Sequence, residues 1–523
     1  MLASILSPSR FHKIFLNFSQ TSPKFAPLRT ITTMTSAKTY DALILGSGQA
    51  GNPLASALAK AGRKTCMVER AHIGGCCINE GCTPTKTLIA SGRAAYAARR
   101  AADYGVRTGA VAVDMKRVKQ RRDDIVESWR AGGERRLKEA GVDVLMGEAR
   151  FVGNKEVSVA LNGGGLETLK AEWVFINTGE RPALPPLDGL SEVIKAVPEK
   201  VLDSTSIQGL EAVPDKLLVL GGGYVGLEFA QLMLRLGAKV TVVQRGNQLL
   251  GREDADVAEE LRSILVEEGL EIILEAEATH IETTGSKDIA LSIKTASGQE
   301  SKLQGTHILI ATGRRPNTDM LNLSATGIET DKKGHIPVNP DLTTSVPGIF
   351  VLGDAKPGPS FTHVSYDDFR VVRDNLDLLP NPSPSPFDKP PKPHTTQARE
   401  RILPYVVYTD PQLGHVGLHL RDIPSSTLPY RNIQVAKMPM SWVARALETD
   451  ETRGVMKAVV DGDSGEILGF TCLGMEGGEI MSAVQVAMMG GVKWWDLREA
   501  VWAHPTLMES LNNLWSTLED VKG

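Results

Sequence analysis

Cysteine is scarce: 523 residues contain five, Cys66, Cys76, Cys77, Cys82 and Cys472. That is too few to staple a secreted disulfide framework of this size, so a reducing compartment fits better. No apolar run is long enough to span a bilayer, and a formal net charge of -4 gives no electrostatic case for nucleic-acid binding. Acidic residues are missing from the start of the chain, where the first is Asp41. Residues 1–39 instead carry Arg10, Lys13, Lys24, Arg29 and Lys38 among many Ser and Thr, with Leu2, Ile5, Ile14, Phe15 and Phe18 available for one apolar helical face. This composition predicts a mitochondrial presequence; the alternatives are a disordered tail, or a cytosolic form started at Met34. What remains is an ordinary soluble enzyme composition, 42% hydrophobic and 23% charged, on a chain long enough for several domains.

The scarce cysteines are concentrated. Cys76, Cys77 and Cys82 all lie in Gly74-Gly75-Cys76-Cys77-Ile78-Asn79-Glu80-Gly81-Cys82-Thr83-Pro84-Thr85-Lys86. An undistorted helix would hold the Cα atoms of Cys77 and Cys82 roughly 7–8 Å apart, beyond the reach of a disulfide. A bridge therefore needs a distorted turn, for which Asn79 and Gly81 offer permissive backbone. Pro84 presets a helix that begins just after the second thiol. Cys82 is thereby expected near a helix N-terminus, where amides and dipole favour its thiolate. The spacing alone also fits an inert disulfide or two unrelated buried thiols.

The context turns the reading toward redox chemistry. A buried strand, Asp41–Leu45, runs into Gly46-x-Gly48-x-x-Gly51, then an alanine-rich helix over 54–61 and a second strand over 64–68 that ends in Glu69. The glycines permit a tight turn and close approach of a pyrophosphate to a helix N-terminus, and Glu69 stands where a carboxylate holds a ribose hydroxyl. A second copy comprises a strand over 216–220, Gly221-x-Gly223-x-x-Gly226, a helix over 227–236 and a strand over 239–243. Here Gln244 and Arg245 replace the acid, so a ribose 2′-phosphate meets a guanidinium and no carboxylate repels it. NADPH is expected in preference to NADH.

Two dinucleotide folds bracketing Gly-Gly-x-Cys-x4-Cys-x-Pro-x-Lys make the chain resemble the FAD-dependent pyridine nucleotide-disulfide oxidoreductases, from about residue 40 to the C-terminus. Thr178-Gly179-Glu180-Arg181-Pro182, Ala311-Thr312-Gly313-Arg314-Arg315-Pro316-Asn317 and Gly348-Ile349-Phe350-Val351-Leu352-Gly353-Asp354 match in order. The resemblance implies an α/β fold of two Rossmann-like domains plus a C-terminal α+β dimerisation domain. The FAD domain is expected over 40–190 and 314–378, the NAD(P) domain over 191–313, and the dimerisation domain over 400–523. Between them 379–399 reads as an insertion, Pro- and Ser-rich over 380–398. Cys66 and Cys472, in apolar strand contexts, read as core residues.

By the same resemblance Gly75, Thr178, Gly179 and Asp354 hold FAD, with Asp354 on the ribitol and Thr362 and His363 beside the isoalloxazine. Lys86 is expected to pair with Glu228 near the flavin nitrogen that exchanges hydride, Gly313 to border the nicotinamide nucleotide, and Tyr224 to gate its pocket. Electrons would pass from NADPH through FAD to a Cys77–Cys82 bridge, with Cys82 toward the flavin and Cys77 toward substrate. Ala503-His504-Pro505-Thr506-Leu507-Met508-Glu509 resembles the segment that completes the other subunit's site in a homodimer, His504 moving protons and Glu509 fixing its tautomer. A satisfied interface histidine is the alternative.

For the substrate, Gly48–Ala55, Cys82–Leu88, Phe361–Tyr366 and Tyr408–Pro411 look most like the mercuric-reductase-like branch, which implies reduction of Hg(II) to Hg(0), Cys77 and Cys82 serving as transient metal ligands. The chain departs from that branch in ending Asp520-Val521-Lys522-Gly523 without a Cys-Cys pair, in lacking an N-terminal Cys-x-x-Cys, and in carrying His504 where tyrosine is usual. A reductase of a small disulfide or dithiol is therefore the alternative. Cys76, where threonine is usual, adds a third thiol that reads as packing beside the FAD. An inert flavoprotein scaffold would keep the glycines but lose Cys77, Cys82, His504 or Glu509, and all four are present.

Overall fold

The computed structural model describes residues 37–285, 287–376, 395–396, 402–425 and 432–521. Most of the presequence-like stretch and nearly all of the Pro-rich insertion lie outside them. Among the described residues no helix is long and apolar enough to cross a membrane.

Three sheets organise the chain. In the first, Lys38–Leu45 pairs in parallel with Thr65–Glu69 on one side and Leu166–Ile176 on the other, and Asp143–Gly153 and Ile349–Val351 extend it outward, also in parallel. The short strand Glu156–Leu161 bridges Asp143–Gly153 and Leu166–Ile176 by antiparallel pairing. Strands buried on both faces need continuous apolar runs, and Leu43, Ile44, Val174, Phe175 and Val351 are fully buried here. Lys38 and Thr39 also belong to the first strand, so the ordered fold starts two residues earlier than the presequence boundary expected at 39. That outer end is exposed and polar, and it is held by pairing with Leu169 and Lys170, which leaves no hydrophobic mark in the sequence.

The second sheet is wholly parallel: Glu271–Ile273, Lys239–Val243, Lys216–Leu220, His307–Ile310 and Val201–Leu202, in that order. The antiparallel strands Ala276–Thr283, Ile289–Thr295 and Glu300–Gly305 form a small sheet beside it in sequence. Chain order puts this whole unit inside the first: strand Ile349–Val351 returns to the first sheet after it. The short antiparallel pair Glu180–Pro182 with Arg314–Pro316 ties the outgoing crossing to the returning one.

The third sheet is antiparallel, in the order Pro404–Val407, Gln412–Gly417, Ile467–Gly474, Val455–Asp461, Ile433–Pro439 and Glu519–Asp520. Helix Gly477–Met489 packs across it, and Met456, Phe470 and Trp515 fill its core. Cys66 and Cys472 are fully buried in strands, as expected for core thiols.

Candidate active site

The cysteine segment folds as two helices broken between the thiols, Gly75–Asn79 and Cys82–Arg99. Gly75 makes the entry possible: its φ is +65°, and a Cβ there would stand 2.6 Å from Gly48 Cα of the first glycine turn. The break falls at Glu80–Gly81 and not at Asn79, which is helical. Asn79 serves instead as a bracket, its amide donating to the Ile73 and Gly75 carbonyls at 3.0 and 2.9 Å and accepting from Arg130 Nε at 2.9 Å. Gly81 brings the chain against Cys76, whose carbonyl and Sγ would lie 3.0 and 3.1 Å from an added Cβ. Cys76, Cys77 and Cys82 are free thiols.

Cys82 is the first residue of its helix, as expected. A hydrogen bond from the Cys77 thiol lowers its pKa most, burial opposes this, and the Thr362 hydroxyl at 3.3 Å and the Lys86 ammonium lower it further, to about 6. Cys77 is driven the opposite way by donating that hydrogen bond and by burial. The pair therefore holds one negative charge at neutral pH, on Cys82. Burial pushes the Cys76 thiol up to about 11, against the pull of Arg314, whose Nη2 lies 3.7 Å from its sulfur.

Lys86, one turn along the same helix, reaches Glu228 on the helix Tyr224–Leu236 of the inserted unit, Nζ to Oε2 2.8 Å. The other carboxylate oxygen accepts from Tyr408 N at 2.8 Å, and the ammonium stands 4.9 Å from the Tyr408 ring centroid. Three parts of the chain thus meet at one ion pair. Burial pulls the Lys86 pKa down, but Glu228 outweighs it and the net shift is upward. Lys86 stays charged beside the Cys82 thiolate.

The glycine turns are built for nucleotides. Gly46 and Gly48 lie between strand and helix, Gly51 opens the helix Gly51–Lys60, and Ser47 inside the turn accepts from Gly74 N at 3.0 Å. Glu69 spends one oxygen on this turn, accepting from Ser47 N at 3.0 Å and Ser47 Oγ at 2.7 Å, and the other on Ala71 N at 2.8 Å. Thr178 Oγ1 is buried with no hydrogen-bond partner among the described residues, while its neighbour Gly179 and the facing Asn317 lock the crossing, Asn317 N to the Gly179 carbonyl 2.9 Å. Asp354 sits in the turn Gly353–Ala355; burial raises its pKa to about 6, with Glu180 adding to the shift and Arg314 and Lys356 opposing it. His363 follows Thr362 at the start of the helix Thr362–Asn375 and is lowered by burial, a neutral ring. An orphaned hydroxyl, a glycine turn at a helix N-terminus and a buried carboxyl for a polyol fit a flavin nucleotide.

In the second turn an added Cβ at Gly226 would stand 2.2 Å from the Gly221 carbonyl oxygen, whereas one at Gly223 would meet no protein atom within 4 Å. Gly221 and Gly226 are thus required by the turn itself, and Gly223 leaves room for a ligand's approach at the N-terminus of the next helix. Tyr224, the first residue of that helix, is 38% exposed with its ring 6.3 Å from Phe361. Gly313 adopts φ +136°. At the strand end Gln244 accepts from Gly222 N at 3.0 Å and lines a cavity of about 350 Å³ with Gly246, Asn247, Gln248, Gly251 and Ala255. Arg245 is exposed at the strand end. The cation in the lining is Arg421, which the sequence reading missed. Its guanidinium donates to the Gly251 and Glu253 carbonyls at 2.9 and 3.0 Å, and no local motif marks it, because it arrives from the third sheet's domain.

His504 Nδ1 lies 2.9 Å from Glu509 Oε2, with the imidazole 71% exposed. Within the chain this pair is joined to neither active-site cysteine by a hydrogen bond among the described residues.

Residues 40–368 match the family described as pyridine nucleotide-disulphide oxidoreductase, and residues 403–514 match that family's dimerisation domain. The probable pyridine nucleotide-disulfide oxidoreductase RclA of Escherichia coli K12 is 33% identical over 92% of this chain and 99% of its own. A mercuric reductase of Lysinibacillus sphaericus is 32% identical over 90% and 81%, and a dihydrolipoyl dehydrogenase of Thermus scotoductus 33% identical over 91% and 96%. A solved Cu(II) complex of RclA, described as a HOCl-induced flavoprotein disulfide reductase, superposes with a TM-score of 0.79 at 33% identity, covering 92% of this chain and 99% of that one. The dimerisation domain supports a homodimer, and the family's cofactors, FAD and NAD(P)H, are those that the two turns fit. With both family matches falling on the two glycine-turn units and the antiparallel domain, this chain belongs to the pyridine nucleotide-disulfide oxidoreductases.

Proposed function

We propose that the enzyme uses NADPH to reduce a soft metal ion at Cys77 and Cys82, with Hg(II) to Hg(0) as the model reaction. The observation that carries this reading is the setting of the cysteine pair: Cys82 opens its helix with the Thr362 hydroxyl 3.3 Å away, and the Cys77 hydrogen bond and the Lys86 ammonium hold it below the ordinary thiol range. A cation that binds Cys82 displaces the shared proton and gains the second sulfur, and paired thiolates select soft metals. FAD, which the first glycine turn, Thr178 and Asp354 would hold, would supply the two-electron relay between the nicotinamide and the cysteine pair. NADPH and Hg(II) then give NADP+, a proton and Hg(0), so charge and electrons balance. Paired with the buried Glu228 carboxylate, Lys86 keeps a fixed cation beside the thiolate throughout. Likeness to mercuric reductases, and to a relative solved with Cu(II), supports the reading. Arg245 and Arg421, with no acid at position 244, favour the 2′-phosphate of NADPH. The basic, acid-free start of the chain supports a mitochondrial location.

One observation favours a second reading, reduction of a small disulfide. The His504–Glu509 pair is oriented but exposed, as a proton shuttle supplied to another subunit's Cys77 would be. In that reaction His504 takes the Cys77 proton, Cys77 attacks one substrate sulfur, and the departing thiolate collects the proton. Cys82 then displaces the second thiolate and restores the bridge. NADPH oxidation by the FAD-loaded protein against Hg(II), oxidised glutathione and lipoamide, with Cys77→Ala as control, separates the two. Cysteine-dependent turnover confined to Hg(II) is expected; turnover confined to a disulfide would overturn the metal reading.

A further inference from the structure

Away from the redox cysteines, a second cluster of ligating groups lies where the antiparallel domain packs on the inserted nucleotide-binding unit. Glu253 precedes the helix Ala255–Glu267, His415 is in the strand Gln412–Gly417 and His419 follows that strand. They are 3%, 2% and 8% exposed, and one ligating atom from each lies within 4.8 Å of the other two. Glu253 Oε2 and His419 Nδ1 face one another at 4.0 Å, both buried and neither with a hydrogen-bond partner among the described residues.

The surrounding hydrogen bonds fix which atoms carry lone pairs. The Tyr405 hydroxyl donates to Glu253 Oε1, so at His419 Nε2, 3.0 Å away, it accepts, and the lone pair is left on Nδ1. His415 Nε2 must donate to the Gly417 carbonyl at 3.1 Å, so its Nδ1 accepts from the rotatable Thr471 hydroxyl at 2.8 Å, a bond that a bound cation would replace. A second ring nitrogen donating to a carbonyl or phenol is the support that metal-binding histidines usually have. Two unpartnered lone-pair atoms 4.0 Å apart in a buried site are costly unless a cation or a proton sits between them.

We propose that Glu253, His415 and His419 bind a zinc-class divalent ion, separate from the redox cysteines. Two imidazoles and a carboxylate are a donor set that zinc takes. A tetrahedral centre wants neighbouring donors about 3.3–3.5 Å apart, so binding draws the three inward by up to about an ångström, through rotation of the Glu253 carboxylate and tilting of the stacked rings, whose centroids are 3.7 Å apart. The ion pins the segment 248–254 to the antiparallel domain. Gln248 and Gly251 of that segment line the nucleotide cavity, so the clasp stiffens one wall of it.

The test uses the FAD-loaded homodimer carrying Cys77→Ala and Cys82→Ala, stripped with chelator and titrated calorimetrically with Zn(II). About one ion per chain is expected, with X-ray absorption at the zinc edge showing two imidazoles and only nitrogen or oxygen neighbours. His419→Gln and Glu253→Gln are each expected to weaken binding at least tenfold, with FAD content confirming the fold. Absence of stoichiometric binding by the protein lacking Cys77 and Cys82 would mean that a proton alone fills the gap and would overturn the proposal. So would a zinc shell without histidine scattering, which reads the parent protein and stands even if a variant fails to fold.

Discussion

Thr362 is predicted to set how much of Cys82 is reactive at neutral pH. A thiol with a pKa of about 6 is about 90% ionised at pH 7, against about 3% for an ordinary thiol near 8.5. The Thr362 hydroxyl contributes by donating to the sulfur at 3.3 Å. A hydrogen bond to a charged group is worth about 1.5–3 kcal/mol, and 1.36 kcal/mol moves a pKa by one. Thr362→Val, nearly isosteric, should therefore raise the midpoint from about 6 to about 7–8. The thiolate present at pH 7 then falls to about 50% at the smaller shift and about 10% at the larger. The assay is iodoacetamide labelling of the two-electron-reduced holoenzyme across pH, with Cys82 quantified by peptide mapping. Cys76 is silent over this range because burial holds its thiol near 11. The labelling rate at pH 7 should drop about two- to tenfold. A parent midpoint in the ordinary thiol range, or a midpoint that Thr362→Val does not move, would refute the reasoning. The sign for stability follows: because the folded pKa lies below the unfolded one, the thiolate's contribution is complete above the ordinary thiol range and lost as pH falls through about 6.

Glu228→Ala leaves the Lys86 ammonium, 29% exposed, without its partner and Tyr408 N without its acceptor, and should destabilise the protein by about 1–3 kcal/mol. The double variant Lys86→Met, Glu228→Leu should recover much of that loss in denaturant unfolding, and equal losses would show that the charge is not the cause. Arg421→Ala should raise the KM for NADPH several-fold and leave that for NADH unchanged; a parallel rise in both would mean that the guanidinium only braces the segment through the Gly251 and Glu253 carbonyls. Cys76→Thr should leave metal reduction unaltered, since this thiol is pushed up to about 11 and shares no hydrogen bond with the Cys82 sulfur as Cys77 does, and a fall in turnover would assign it a ligand role.

The two nucleotide units were readable because their signals are local. Lys216–Leu220 and Lys239–Val243 are five-residue strands, mostly apolar, on either side of the glycine turn and its helix, and the structure starts and ends them where the pattern does. In the third sheet the apolar runs at 404–408, 454–460 and 466–472 predict strands, and the structure has Pro404–Val407, Val455–Asp461 and Ile467–Gly474 there; its other three strands were not foreseen. Lys38 and Thr39 escaped because an exposed strand end carries no burial pattern. The site was legible only in part. Lys86 and Glu228 are 142 residues apart, and nothing in either segment alone requires the pair; the family's motifs supplied it. Where no motif exists the sequence is silent: Arg421 reaches the nucleotide cavity, and His415 and His419 reach Glu253, only because an antiparallel sheet docks against a loop of the inserted unit. Periodicity encodes which face of an element is buried, not which element covers it. Chemistry that depends on two domains meeting is therefore written in the docking, and the buried, unpartnered atoms Glu253 Oε2 and His419 Nδ1 are what that docking leaves to be explained.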